Sequence, residues 1–274
     1  MGTIKLSTKV SSSDKGISIK DAIENMFSAM KKYAENFASS QQIYDYDSII
    51  SAIGYSIDEI GSVLINAGCN EEYVKAYKEW GNFGWSFNAN INNKFFLTAP
   101  KSSQEADSIM LKYANVESIT RMMEELKNFD VNKKDLEEAY FAYINQKYKS
   151  SVLLLFSLID RQLINRALLN ENGYLKTGAS AVGELKKSEK LYKENTYLHY
   201  LQFTLIINCL FTLFQNSKNF EKEPVVINRN FLIHGMSNNE VNGIDCLKVW
   251  SALYSFVVIF PKLEKEILLS GLKN

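Results

Sequence analysis

The segment 197–214, with the sequence YLHYLQFTLIINCLFTLF, decides the fold of this chain. It is apolar on nearly every face of a helix, which is typical of a helix buried on all sides in a bundle. The same run is barely long enough to cross a membrane, and His199, Gln202 and Asn208 interrupt it. A second apolar run, 247–260, is too short to span a membrane. We therefore expect buried helices and no membrane partner.

Apolar residues recur with helical spacing along most of the chain, which predicts an all-α fold. Proline occurs only three times and glycine is rare inside the periodic segments, so long helices are favoured. The predicted helices lie at about 18–37, 47–67, 70–81, 103–113, 117–128, 133–169, 196–216 and 241–269. Between them, residues 80–100 predict an irregular loop packed by Trp80, Trp85 and Phe87, in which residues 95–97 could be extended.

The predicted helix 133–169 changes along its length from amphipathic to apolar, as a helix that joins two subdomains does. We place a soft boundary near residue 130. The chain is then divided into an N-terminal helical region of unknown role, residues 1–130, and a helical domain, residues 131–274.

The charge balance, the cysteine spacing and the N-terminal segment limit the class of protein to which this chain can belong. The 31 basic residues balance 31 acidic ones, so any surface for nucleic acid would have to be local. The cysteines at positions 69, 209 and 246 are odd in number and widely spaced, which favours a reduced cytoplasm over a disulfide framework or a zinc site. The polar segment 1–15 does not resemble a signal peptide. We expect a cytoplasmic protein without a metal or cofactor.

A candidate site lies at residues 228–235, with the sequence NRNFLIHG, between two apolar segments. A permanently charged guanidinium near a group that titrates near neutral pH suits phosphodiester cleavage. Asn228 is a predicted N-cap, which places Arg229 in the first turn of a short helix and His234 near its end, before Gly235. Five residues separate the two side chains by about 140° around a helix, so a complete site would need a second copy of the chain.

This segment resembles the Arg-x4-6-His motif of the HEPN superfamily: an arginine, a polar residue, three mostly apolar residues and His-Gly. The likeness covers roughly residues 149–274 and is thematic outside residues 225–240. HEPN proteins are all-α bundles, and many are metal-independent endoribonucleases of toxin–antitoxin, abortive-infection and other anti-phage systems. Their active site is typically built across a dimer from two copies of the motif.

The resemblance implies a role for each residue of the motif. His234 would be the general acid and base in attack of a ribose 2′-OH on the adjacent phosphate, and Arg229 would hold that phosphate. Asn230 would contact the phosphate or orient the histidine. The products would be a 2′,3′-cyclic phosphate and a 5′-OH, and the partners an RNA substrate, a second copy and an antitoxin or regulatory protein. Met236 stands where members silenced by a nucleotidyltransferase carry tyrosine, so silencing by that route is not supported.

Other polar residues admit two interpretations each. Asp160 interrupts the apolar run 152–164 and either lines the same groove and orients His234 or is solvated. The polar connector 178–193 is predicted to be helical in part. It carries four lysines that contact an RNA backbone or are simply solvated, namely Lys186, Lys187, Lys190 and Lys193. His199 is either a core histidine with a satisfied hydrogen bond or a member of the site.

The motif also has a structural interpretation. Arg229 could pair with a nearby carboxylate such as Glu221 or Glu223, and His234 could cap a helix C-terminus, where its positive charge is favoured. Under that interpretation the protein is a non-catalytic helical interaction module that binds a partner protein or a nucleotide through residues 80–100.

Overall fold

The computed structural model describes residues 71–271, apart from 167, 171, 194–196, 217 and 218. The predicted all-α class is confirmed, because the described residues form helices and, in place of strands, one isolated bridge between Leu169 and Leu175. In chain order the α-helices are α1 (Glu71–Asn82), α2 (Ser103–Met110), α3 (Val116–Leu126), α4 (Lys133–Ile144), α5 (Tyr148–Asn165), α6 (Gly178–Lys187), α7 (Glu189–Lys193), α8 (Tyr197–Leu213), α9 (Arg229–Ile233), α10 (Gly243–Tyr254) and α11 (Phe260–Gly271). The helices predicted at 18–37 and 47–67 and the polar segment 1–15 lie outside the described residues.

Helix α8 occupies the centre of the fold, as its apolar sequence predicts. Most of its side chains are buried, and it packs against α1, α6, α7, α10 and α11. Gly81 allows a close approach of α1 to α8, because a Cβ atom there would lie 2.8 Å from the Cβ of Asn208 and from the backbone of Cys209. Any larger residue at position 81 would push α1 away from α8.

The predicted aromatic loop after α1 is confirmed as part of the core. Trp80, Trp85 and Phe87 are buried, and the Trp80 indole N–H donates to the carbonyl of Thr98 at 2.9 Å. The alternative of an extended segment at residues 95–97 is wrong, since Asn93–Leu97 forms a short 3-10 helix. Asn92 caps it by accepting from the amide of Lys94, which leaves Phe96 directed into the core.

The single helix predicted at 133–169 is wrong, because the structure has two helices, α4 and α5, that pack against each other. Asn145 ends α4, and Gln146 adopts a positive φ of 58°, which stops helix propagation. The hydroxyl of Ser151 on α5 donates to the carbonyl of Ala139 on α4 at 2.8 Å. The change from amphipathic to apolar sequence therefore marks the second arm of a helical hairpin. It does not mark a bridge between subdomains.

The boundary expected near residue 130 does not coincide with a break in packing. Contacts group Cys69–Asn274 into one compact unit. Helix α10 reaches back across residue 130, with an ion pair of 2.8 Å between Lys248 and Asp107 and a hydrogen bond of 2.6 Å from Tyr254 to Glu125.

The last predicted helix is continuous but changes register. Between α10 and α11, residues Ser255–Ile259 form a π-helical turn in which the Phe260 amide donates to Ser255, five residues back. Pro261 follows and has no N–H to continue the α-helical pattern. Within the described residues, Gly243–Lys265 is long and apolar enough to cross a membrane by length and composition, which the shorter run 247–260 did not suggest. The protein buries 78% of the most apolar 18-residue stretch of this helix, as is also typical of the core helix of a bundle.

Candidate active site

Helix α9 carries the motif, and its local structure is as predicted. The side chain of Asn228 is the N-cap and accepts from the amides of Asn230 and Phe231 at 3.0 and 3.2 Å. The helix ends at His234, and the next residue, Gly235, has a φ of 69°, which glycine adopts without strain. Arg229 and His234 therefore lie at opposite ends of the short helix, about one and a half turns apart.

The guanidinium of Arg229 is held on two sides. Its Nε and Nη2 atoms donate to Oδ2 of Asp160 on α5 at 3.0 and 2.6 Å, and its Nη1 atom donates to Oδ1 of Asn230 at 3.1 Å. Asn230 in turn donates to the carbonyl of Gln215 at 3.2 Å. Three of the five N–H groups are therefore engaged, and the side chain is 21% exposed.

Asp160 does not take either position considered from sequence. It is neither a solvated surface residue nor hydrogen-bonded to His234; it is 16% exposed and paired with Arg229. Its second oxygen, Oδ1, is buried and accepts no hydrogen bond from a residue that the structure describes. The carboxylate thus fixes the arginine and ties α9 to α5.

Glu223 was a candidate partner for Arg229, but it organises the loop after α9 instead. It accepts hydrogen bonds from the hydroxyl of Ser237 at 2.6 Å and from the amide of Asn238 at 2.9 Å. Partial burial acts to raise the pKa of Glu223, but the hydrogen bonds from Ser237, Asn238 and Asn239 outweigh it and hold the pKa below its ordinary value. This carboxylate is therefore committed to holding the loop that follows His234.

The start of α6 lies against the guanidinium, which sequence reasoning missed. A Cβ atom at Gly178 would be 3.5 Å from Nη1 of Arg229 and 3.8 Å from Oδ1 of Asp160. Thr177, the N-cap of α6, makes no side-chain capping hydrogen bond. The partial positive charge of this helix end therefore adds to the local field beside the arginine.

His234 is exposed at the far end of α9. Phe220 packs edge-on against its ring, with centroids 5.6 Å apart, and also packs on Phe231 at 5.2 Å. The imidazole forms no hydrogen bond with any residue in the described part of the chain. Because Asn230 is committed to Arg229 and Gln215, it does not orient the histidine. The side chains of Arg229 and His234 therefore share no hydrogen-bond partner among the described residues.

The predicted lysines lie on α6 and α7 and differ in their contacts. Lys186 places its ammonium 4.2 Å from the centre of the Phe211 ring, whereas Lys187 pairs with Glu184 at 3.0 Å. Lys190 is exposed on α7, beyond the end of α6. Hydrogen bonds from Lys176 and Lys187 hold the pKa of Glu184 below its ordinary value. The contact of Lys186 with the Phe211 ring bears on a binding surface, whereas the ion pair of Lys187 with Glu184 does not.

The second histidine and two of the cysteines lie apart from the site. His199 is at the start of α8, roughly 20 Å along the helix from the end that leads to Gln215. Cys209 and Cys246 are free and buried, and burial raises the pKa of both thiols, that of Cys246 to about 12. Neither thiol is a nucleophile at neutral pH. No group of three histidine, cysteine or acidic residues suited to a metal ion occurs in the described residues.

A groove of about 470 Å³ borders the N-terminal side of α9, and its lining is acidic. Glu223, Glu240 and Asp245 lie in it together with Asn228. Burial raises the pKa of Asp245, and the Asn242 amide and Lys248 act in the opposite direction. Carboxylates repel phosphates, so this groove does not suit an RNA backbone.

The structure thus brings together Arg229, Asn230 and Asp160, and leaves His234 exposed about one and a half turns away. Phe220 and Gly178, which no sequence pattern indicated, complete the surroundings. No protein-family model, curated protein or solved structure matches this chain.

Proposed function

We propose that this protein is a metal-independent endoribonuclease of the toxin or anti-phage defence type, with an active site formed across a homodimer. The observation that carries the proposal is the immobilised but partly exposed guanidinium of Arg229 on the same short helix as an exposed imidazole, His234. The resemblance to the HEPN motif supplies the reaction class. A regulatory protein or antitoxin would be a further partner.

Arg229 would bind the scissile phosphate through its two remaining N–H groups. Because Asp160 offsets its charge, the attraction depends on directed hydrogen bonds more than on net charge. Fixing the guanidinium before substrate arrives removes a reorganisation step and favours stabilisation of the charge that develops on the phosphate oxygens. Asn230 and Asp160 are positioning residues in this scheme, since both act through Arg229.

His234 would transfer the protons. A neutral imidazole accepts the proton of the ribose 2′-OH while that oxygen attacks the phosphorus, and the bond to the 5′ oxygen breaks. The leaving 5′ oxygen takes a proton from a protonated imidazole, that of the second copy. A 2′,3′-cyclic phosphate and a 5′-OH result, so protons and bonds balance without a co-reactant.

A homodimer would bring the two motifs together. The angle of about 140° between positions 229 and 234 on one helix prevents both side chains from meeting one phosphate within a chain. Exposed apolar residues flank the histidine, with Ile233 39% and Met236 45% exposed. Apolar side chains around a polar reactive group are what a dimer interface at α9 requires.

The proposal is tested by incubating the purified full-length chain with a mixed RNA pool in EDTA. We expect cleavage by the wild type and none by Arg229→Ala or His234→Ala, each of which must remain folded. Arg121→Ala and His199→Gln are matched controls, because Arg121 is an exposed arginine of α3 and His199 lies at the start of α8, roughly 20 Å along the helix from the end that leads to Gln215. Both controls should cleave like the wild type. Absence of cleavage by folded, dimeric wild type contradicts the proposal.

One observation favours the alternative of a non-catalytic interaction module. The Arg229–Asp160 pair ties α9 to α5, which is a structural role that needs no substrate. A partner at residues 80–100 would meet polar groups such as Asn90 and Asn92, because the tryptophans of that segment are buried. Loss of folding in Arg229→Ala, together with an inactive wild type, supports this alternative.

A further inference from the structure

A second, smaller cleft lies beside the candidate active site. It measures about 220 Å³ and is formed by the first turns of α6 and by the end of α8 with the residues after it. Buried Val182 and Phe214 form an apolar floor, and the exposed rim combines one aromatic ring with polar side chains. The side chains that reach the rim are those of Ser180, Phe211, Gln215 and Asn216.

This cleft shares two structural elements with the Arg229 site. The carbonyl of Gln215 accepts hydrogen bonds from Asn228 at 2.9 Å and from Asn230 at 3.2 Å, so the same backbone that borders the cleft anchors α9. On the other side, the helix that contributes Ser180 begins at Gly178, which lies against the guanidinium. A ligand held at the arginine could therefore extend directly into the cleft.

The chemistry of the cleft fits a planar, polar-edged ring. Phe211 is 42% exposed, and Lys186 places its ammonium 4.2 Å from the ring centre. The side-chain amides of Gln215 and Asn216 form no hydrogen bond within the described part of the chain. Free amides of this kind pair with base edges, and an exposed aromatic ring stacks on a base.

We propose that this cleft binds an unpaired nucleobase of a single-stranded RNA whose adjacent phosphate contacts Arg229. Phe211 stacks on the base, Gln215 or Asn216 contacts its edge, and Lys186 faces a neighbouring phosphate. A base inside a duplex is stacked on its neighbours and cannot enter, so the cleft selects single strands. This inference rests on the proposed ribonuclease function and names its substrate class.

The test measures binding of a short labelled single-stranded RNA to the full-length His234→Ala protein in EDTA, so that cleavage does not interfere. Adding Phe211→Ala to this protein should weaken RNA binding about tenfold, because one base–aromatic stack is lost. Adding Phe211→Trp instead should leave binding unchanged. Phe141→Ala is the matched control, because Phe141 is also exposed, at 69%, but lies on α4. A duplex of the same sequence should bind at least tenfold more weakly than the single strand.

The outcomes separate this inference from the function on which it rests. Unchanged binding in Phe211→Ala, with cleavage by the wild type intact, overturns the nucleobase site and leaves the ribonuclease standing. Weaker binding in Phe211→Ala by a protein that never cleaves RNA supports the cleft and contradicts the enzyme. Equal binding of duplex and single strand, or no RNA binding at all, overturns the inference.

Discussion

Replacing Asp160 by alanine tests how much of the candidate site depends on one carboxylate. The change removes both hydrogen bonds from Nε and Nη2 of Arg229 and leaves only the bond to Asn230. The guanidinium then keeps its charge in a partly buried position without its counter-ion. We expect a loss of both stability and RNA cleavage.

The size of the stability loss follows from burial. Breaking a fully buried ion pair costs about 3–5 kcal/mol, whereas exposed pairs contribute about 0–1 kcal/mol. The side chains of Arg229 and Asp160 are 21% and 16% exposed, so this pair lies nearer the buried limit. We expect a loss of about 2–3 kcal/mol, which for a chain of this size lowers the melting temperature by about 4–12 °C.

Urea unfolding and thermal denaturation measure the change, and a double-mutant cycle with Arg229→Ala isolates the coupling between the two side chains. Asp130→Ala is the matched control: this carboxylate is 3.6 Å from Arg161 on the surface, with 81% of its side chain exposed. Its loss should cost less than about 0.5 kcal/mol. A coupling energy between Asp160 and Arg229 below about 0.5 kcal/mol, or full cleavage activity in Asp160→Ala, refutes the positioning role.

Three further predictions concern other parts of the molecule. Lys248→Ala should destabilise the fold by about 3 kcal/mol in urea, because Lys248 is 4% exposed and its loss leaves Asp107 without a cation; a loss below about 1 kcal/mol contradicts this. Ile233→Lys should yield folded monomers in sedimentation and abolish cleavage; a fully active dimer rules out an interface at α9. Glu223→Gln should be less stable than the wild type at neutral pH and equally stable in acid. The folded protein lowers the pKa of Glu223 below its ordinary value of 4.5, so the carboxylate contributes stability that is lost as the pH falls through that lowered pKa. Parallel stability curves for the two proteins between pH ~3 and ~7 contradict that assignment.

Much of the local structure around the motif could be predicted because it depends on neighbouring residues. Asn228 caps α9 through amides two and three residues ahead, and the helix ends at His234 before a glycine. The burial of α8 follows from apolar residues on all its faces. In both cases, the residues that determine the local structure lie within one short segment of the sequence.

The features that sequence reasoning missed depend on residues far apart in the chain. Asp160 pairs with Arg229 although the two residues are 69 positions apart in the chain. Glu223 is much nearer to Arg229 in sequence, but it accepts hydrogen bonds from the loop after α9 instead. The hairpin between α4 and α5 depends on a positive φ at Gln146. Glutamine rarely adopts this conformation, so its presence in the sequence does not predict a turn. The ion pair between Lys248 and Asp107 crosses the boundary expected near residue 130, and no local sequence pattern predicts it.

The most direct test of the proposed reaction uses a DNA oligonucleotide that contains one ribonucleotide, incubated with the protein in EDTA. Attack by a 2′-OH predicts a single cut on the 3′ side of that ribose, with a 2′,3′-cyclic phosphate and a 5′-OH as ends. The same oligonucleotide with a 2′-O-methyl ribose, and the His234→Ala protein, should give no cut. Cleavage of the all-deoxy or 2′-O-methyl strand, undiminished cleavage by His234→Ala, or no cleavage by the folded wild type contradicts the account.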